Sequence, residues 1–485
     1  MGARRGLPHV RRAASLVALA IVAFAPLDSV HAQLAAGAAS SVPPPAGTAP
    51  LRWPDVAYDR DHDVYLAVSG AGLIAGYWFS GDGTPIDVPF TIGGGSLYAQ
   101  APRVAYAGGA GMMLAWHETL PGSAVRIRGR VIRFGGAPSA DFDVSPVGTN
   151  WEMGAALAWS SASAEMLVAW QALGDTRIGA QRVSATGALV GPAIVIDPRP
   201  YYFRDPAVAY HAATDTFFVA YAGCVGANDC FVDVQRVRAG TGELVGGPIE
   251  LDASIAAGYV PELAYASITE DVLVVWHRRA AGAASFVGRI VHGNGTAAAT
   301  TTLVSDTLGS YDANGLAYSA ASGTFVFVTH GTTSQDVAIE LSSSGVPLGV
   351  PIPFGAASAG GNFNPRVASR GGHAEWLAVT SSDFTMLGAQ RLLSSTTDPS
   401  VLVDAGARDA GSVGSDAGPP VLDAGAHDAG TISLDAMAGL DGGRPRVSAS
   451  GCGCRVDGAA PRAFPVGLGI ALALACLRGG RRPRR

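Results

Sequence analysis

Val208-Ala209-Tyr210 opens an apolar run that is answered eleven residues later by Val219-Ala220-Tyr221, and this pair decides the fold because the chain repeats it. The first half recurs as Val56-Ala57-Tyr58, Val104-Ala105-Tyr106, Leu157-Ala158-Trp159, Leu263-Ala264-Tyr265 and Leu316-Ala317-Tyr318, with a degenerate Val367-Ala368-Ser369. The second half follows each of these, as in Leu66-Ala67-Val68, Leu114-Ala115-Trp116, Val168-Ala169-Trp170, Val274-Val275-Trp276, Phe327-Val328-Thr329 and Leu377-Ala378-Val379. Short runs rich in β-branched and aromatic residues read as strands. A third run comes next, such as Ile178 to Val183 or Val232 to Val237, and a Gly-bearing turn leads to a fourth, such as Gly187 to Ile196. Val401-Leu402-Val403 is the expected fourth strand of the last repeat.

The repeat period is 48 to 55 residues. Four antiparallel strands in about 50 residues make one propeller blade. Seven blades closed into a ring leave no long sheet edge exposed. The alanines 57, 105, 158, 209, 264, 317 and 368 hold one position in every repeat, as crowded innermost strands require. The repeated Trp and Tyr are then expected to fill the widening space between blades. The expected fold is therefore all-β: a seven-bladed β-propeller of four-stranded antiparallel blades over 51–404. Tandem β-sandwiches are the alternative. The repeats also resemble a propeller-like family common in secreted bacterial proteins. Its blades run apolar-Ala-aromatic, Leu-Val-x-Trp, then Ile-x-Gly-x-Arg-Val, and Ile178-Gly179-Ala180-Gln181-Arg182-Val183 is the closest local match. That family carries no single activity, so the resemblance implies fold and not function.

Composition agrees with short strands. Of 485 residues only 15% are charged, against roughly 25% in ordinary soluble domains. All 33 basic residues are arginines, and the net charge of −6 speaks against nucleic-acid binding.

The ends read as addresses. Residues 1–32 resemble a secretory signal peptide: Arg4, Arg5, Arg11 and Arg12, then apolar Leu16 to Ala25, then Val30-His31-Ala32 before the cleavage point. Residues 33–50 are expected to be a flexible N-terminal segment. From Asp404 to Gly443 the chain repeats Asp-Ala-Gly without aromatics, so residues 405–449 are expected to form a disordered, low-complexity stalk. At 450–485 come Cys452 and Cys454, a short hydrophobic segment from Phe464 to Leu477, and a cluster of arginines. This order resembles the MYXO-CTERM sorting tail of myxobacterial surface proteins. The resemblance implies processing near Cys452 or Cys454 by a sorting protease and attachment at the cell surface. An ordinary C-terminal membrane helix is the alternative. Export machinery and the membrane, through this tail, are the partners implied at the two ends.

Candidate chemistry is sparse. Three residues before each repeated aromatic position stand Asp55, Arg103, Ala156, Ala207, Glu262, Gly315 and Arg366. On a strand they share a face with the repeated alanine, so Asp55, Arg103, Glu262 and Arg366 are the expected charged lining of the channel. Asp55 and Glu262 are the only carboxylates of this set, and they suit acid–base work on a glycan. Their repeats, first and fifth, suggest well-separated sides, and ion pairing with the arginines is the plainer reading. Asp59, Asp61 and Asp63 mimic the start of a calcium loop, but the later ligand positions fail and a solvated turn is expected. His117, His211 and His277 lack partners at ligand spacing, so neither a metal nor any other cofactor is expected. Cys224 and Cys230 are expected to pair as a local disulfide after export. The leading expectation is a surface-anchored binding, adhesion or structural module for an extracellular polysaccharide or protein, and not an enzyme. The alternative is an extracellular glycan-active hydrolase or lyase using the channel carboxylates.

Overall fold

The computed structural model describes residues 34–395, apart from 49–50, 94–98, 121–123, 146–151, 173–176, 200–201, 227–228, 256–257, 281–282, 306–313, 332–334 and 356–361. The expected signal peptide, stalk and sorting tail, with Cys452 and Cys454, lie outside the described residues, as does Val401-Leu402-Val403. The described residues are all-β, with 28 strands, two single-turn 3-10 segments and no α-helix.

The strands form four-stranded antiparallel sets, seven among the described residues. Sets one and two are joined where Ala71 and Gly72 pair with Gln100 and Ala99. The inner strands are Asp55–Asp59, Ala99–Tyr106, Glu152–Ser160, Tyr202–His211, Gly258–Ala266, Asn314–Ser319 and Asn362–Ser369, one per blade. The apolar core explains why the sheets close into a ring. It is divided into seven clusters, and each is shared by two consecutive blades. Phe217, Val219 and Tyr221 of blade 4 meet Leu167, Ala169 and Ile178 of blade 3. Val56, Tyr65 and Tyr77 of blade 1 meet Leu377, Val379 and Leu387 of blade 7, which closes the circle. Every blade thus buries both faces, which is why the second strands are apolar throughout and do not alternate.

Ring closure departs from expectation at one point. The outer strand of blade 7 is Ala35–Val42, paired antiparallel with Met386–Leu393. The segment 33–50, expected to be flexible, therefore supplies a strand over Ala35–Val42. Its ordering has a physical cause. Leu34 and Val42 are buried, and the Gln390 amide donates to the Gly37 carbonyl at 2.6 Å. Gln181 and Gln235 hold the same position in blades 3 and 4, where they donate to Gly191 and Gly246 of their own outer strands. One chain end completes a sheet made by the other.

The aromatic expectation divides in two. Second-strand rings behave as predicted: Trp116, Trp170, Tyr221 and Trp276 are buried between blades. First-strand rings do so only in part, each packing against the core between two blades while one side stays open. Tyr58, Tyr106, Trp159, Tyr210, Tyr265 and Tyr318 are only half-buried and line one end of the channel. The inner strand lies nearest the axis, so its last residues border the opening as well as the neighbouring blade.

Candidate functional site

All seven residues of the expected channel ring line one cavity of about 180 Å³. Asp55 and Glu262 are thus not on well-separated sides. Arg103 stands between them, its guanidinium 3.9 Å from each carboxylate. Arg366 donates to Glu262 and to the carbonyl of Asn314. The Asp55 carboxylate also accepts the Val104 amide at 2.8 Å. Four blades (1, 2, 5 and 7) are therefore tied across the axis by two acids and two guanidiniums. Burial raises the Asp55 carboxyl above its ordinary value, against the pull of Arg103 and Arg366. Burial also lowers Arg103, with Arg366 beside it acting in the same direction.

Above this cross the channel opens into a cavity of about 460 Å³. Its wall is built by a device that the sequence repeats. Trp53-Pro54, Ala101-Pro102, Asp205-Pro206, Val260-Pro261 and Asn364-Pro365 each stand just before the ring position, with Gly154-Ala155 in blade 3. The first residue of each pair has a positive φ, from 48° at Ala101 to 63° at Gly154. Strand pairing slips at the same place in blades 2, 3, 4, 5 and 7. Proline cannot donate to the ladder and is tolerated where a bulge removes that demand. The bulge turns the strand and aims the residue before proline into the opening. Trp53, Ala101, Gly154, Asp205, Val260 and Asn364 all line the mouth as a result. This ring was not among the sequence candidates. Its signal was present in the five prolines at one register.

Gln100, Gln171 and His117 complete the polar wall. His117 Nε2 lies 3.3 Å from the Gln100 carboxamide oxygen, and burial lowers the imidazole to about 4, so it is neutral at pH 7. The charged side chains of the mouth are then Arg103, Arg366, Asp205 and Glu262, which balance. The arrangement offers donors, acceptors and one indole without net charge.

The remaining candidates are engaged elsewhere. Asp59 is buried, accepts the Asp61 amide at 3.0 Å and meets His62 Nδ1 at 2.9 Å. Asp63 instead accepts the Tyr58 hydroxyl at 2.8 Å and pairs with Arg370. The Asp-x-Asp-x-Asp turn is thus only partly solvated, and its carboxylates diverge. Among the described residues no group of three His, Cys, Asp or Glu is placed to hold a metal. His211 bonds the Glu270 carbonyl at 2.9 Å, a contact between blades. Cys224 and Cys230 form a disulfide between paired strands of blade 4.

No family profile matches the chain, and no curated protein sequence matches it. Among solved structures it is similar to a Hadza microbial sialidase, at 10% identity over 67% of this chain and 73% of that one, with a TM-score of 0.44. It is also similar to AofleA from Arthrobotrys oligospora, at 10% identity over 65% of this chain and 89% of that one, TM-score 0.42. An endo-arabinase from Bacteroides thetaiotaomicron matches at 15% identity over 49% of this chain and 92% of that one, TM-score 0.34. Likenesses at this level transfer no residue role. Among the described residues no helix is long and apolar enough to cross a membrane.

Proposed function

We propose that the protein is a glycan-recognising propeller whose site is the mouth lined by Trp53, Gln171, Asp205 and Asn364. One observation carries this reading: the mouth sets polar side chains among apolar ones, is charge-balanced and holds an indole. A neutral polyol needs both donors and acceptors, gains from an aromatic face, and is not helped by net charge. A phosphate or acidic ligand would need the arginines free, and both are held by carboxylates. The cavity also falls within the roughly 300–1,000 Å³ typical of small-ligand sites.

Hydrolysis is the second reading, and one feature favours it. Asp55 is a carboxyl raised by burial with Glu262 in the same cavity. A carboxyl whose ionised form is disfavoured by burial is the kind of group a general acid requires. Binding and turnover separate cleanly. The full chain is incubated with neutral oligosaccharides, and bound ligand and new reducing ends are both measured. Recognition alone predicts binding without new reducing ends. Turnover abolished by Asp55→Asn and Glu262→Gln would establish the hydrolase instead, and no binding to any neutral glycan would remove both.

Export by residues 1–32 and surface attachment through 450–485 belong to the same proposal. Protease added to intact cells should release the propeller, whereas protection inside the cytoplasm would contradict it.

A further inference from the structure

The second mouth of the channel has a different chemistry. Its cavity, about 610 Å³, is walled by Tyr58, Tyr106, Trp159, Tyr210, Tyr265 and Tyr318, one ring from each of six blades. All six are half-buried. Apart from the phenols, only Arg60, Ser267 and Ser369 bring polar side chains to its wall.

Two phenols at the rim face carboxylates. The Tyr58 and Tyr210 hydroxyls donate to Asp63 and Asp215, each at 2.8 Å, five residues further on in the same hairpin. The phenol oxygens are thereby turned toward carboxylates at the edge. A cation already uses this surface: the Arg60 guanidinium lies over the Tyr106 ring, 5.1 Å from its centroid. Trp159, the ring that binds cations best among aromatic side chains, stands in the next blade. It packs on Gly108 of blade 2, where an added Cβ would sit 3.4 Å from the indole.

We propose that this aromatic bowl binds a quaternary ammonium group at Trp159 and its neighbour Tyr210, since the Arg60 guanidinium already lies over the Tyr106 ring. Such a cation is weakly hydrated and donates no N–H bonds, so its recognition rests on the ring faces. Its attraction comes from the ring faces, with the Asp215 carboxylate at the rim adding to it, since Asp63 is already paired with Arg370. The site is separate from the mouth assigned to glycans, at the other end of the inner strands, and does not depend on that reading.

The test is calorimetric titration of the full chain with choline and with 3,3-dimethyl-1-butanol, which has the same shape but carbon in place of the charged nitrogen. Choline should bind about tenfold or more tightly than the neutral isostere. Trp159→Ala should weaken choline by a similar factor, and Trp159→Tyr should restore most of the affinity. Equal binding of the two compounds would overturn the proposal, because the bowl would then be merely apolar. So would failure of choline to bind, or displacement of choline by a neutral oligosaccharide. The comparison of the two compounds needs no variant, so it stands even if Trp159→Ala does not fold.

Discussion

Arg366 shows what a single side chain contributes here. It is buried on the channel axis, donates to Glu262 from blade 5 and also to the Asn314 carbonyl of blade 6. Removing one partner of a buried ion pair leaves the other uncompensated. Arg366→Ala is expected to cost about 3 kcal/mol, measured by urea unfolding. A loss below about 0.5 kcal/mol would mean that Glu262 is solvated by the channel. His117 gives a pH signature. Its folded value lies near 4 because burial disfavours the charged form, below the unfolded value of about 6.5. The unfolded chain therefore binds more protons between these values, and stability falls as pH falls from 6.5 toward 4. Relative to the parent, His117→Gln should lack that part of the acid loss, about 3 kcal/mol by pH 4. Identical pH profiles for the two proteins would contradict the burial argument. Ion pairing of Arg366 was legible in the chain as the plainer account of the ring charges; the burial of His117 was not. The register placed Arg103 and Arg366 on the ring, but which carboxylate each arginine meets depends on how closely the ring closes.

At the scale of elements, the strand pairs were legible because their period and their alanine register are written into each repeat. The outer strand of blade 7 was not. Ala35–Val42 reads AAGAASSV, which has no alternation, and its partner lies some 350 residues away. The one cue is Gly37, which corresponds to Gly191 and Gly246 as the acceptor of a third-strand glutamine. Deleting residues 34–42 should strip Gln390 of that bond and expose blade 7 along one edge. A clear fall in melting temperature with loss of cooperativity is expected, and an unchanged melt would place the closure elsewhere. The bulges at the first mouth were not legible singly either, since each proline looks like an ordinary strand boundary. Their strain can be measured. Ala101 has a φ of 48°, a conformation that costs an L-residue about 1–2 kcal/mol. Ala101→Gly relieves that strain but loosens the unfolded chain, so stability should be unchanged or rise by up to about 1 kcal/mol. A fall of more than 1 kcal/mol would show that the alanine methyl, rather than the backbone turn, is what the mouth requires.

The whole molecule is a ring with two unlike openings joined by one ion-paired channel. The inner strands all run in the same sense, so residues before the ring position reach one mouth and residues after it reach the other. Proline bulges with amides, carboxylates and Trp53 make the first opening; tyrosines and Trp159 make the second. The central claim is that the first opening reads an uncharged saccharide. A glycan array probed with the full chain and with Trp53→Ala tests it most directly, in low salt and again at roughly 0.5 M, where surface charge is screened within a few ångströms. The account predicts binding to neutral glycans that survives salt and is lost in Trp53→Ala. Binding confined to acidic glycans and abolished by salt, or equal binding by Trp53→Ala, would contradict it.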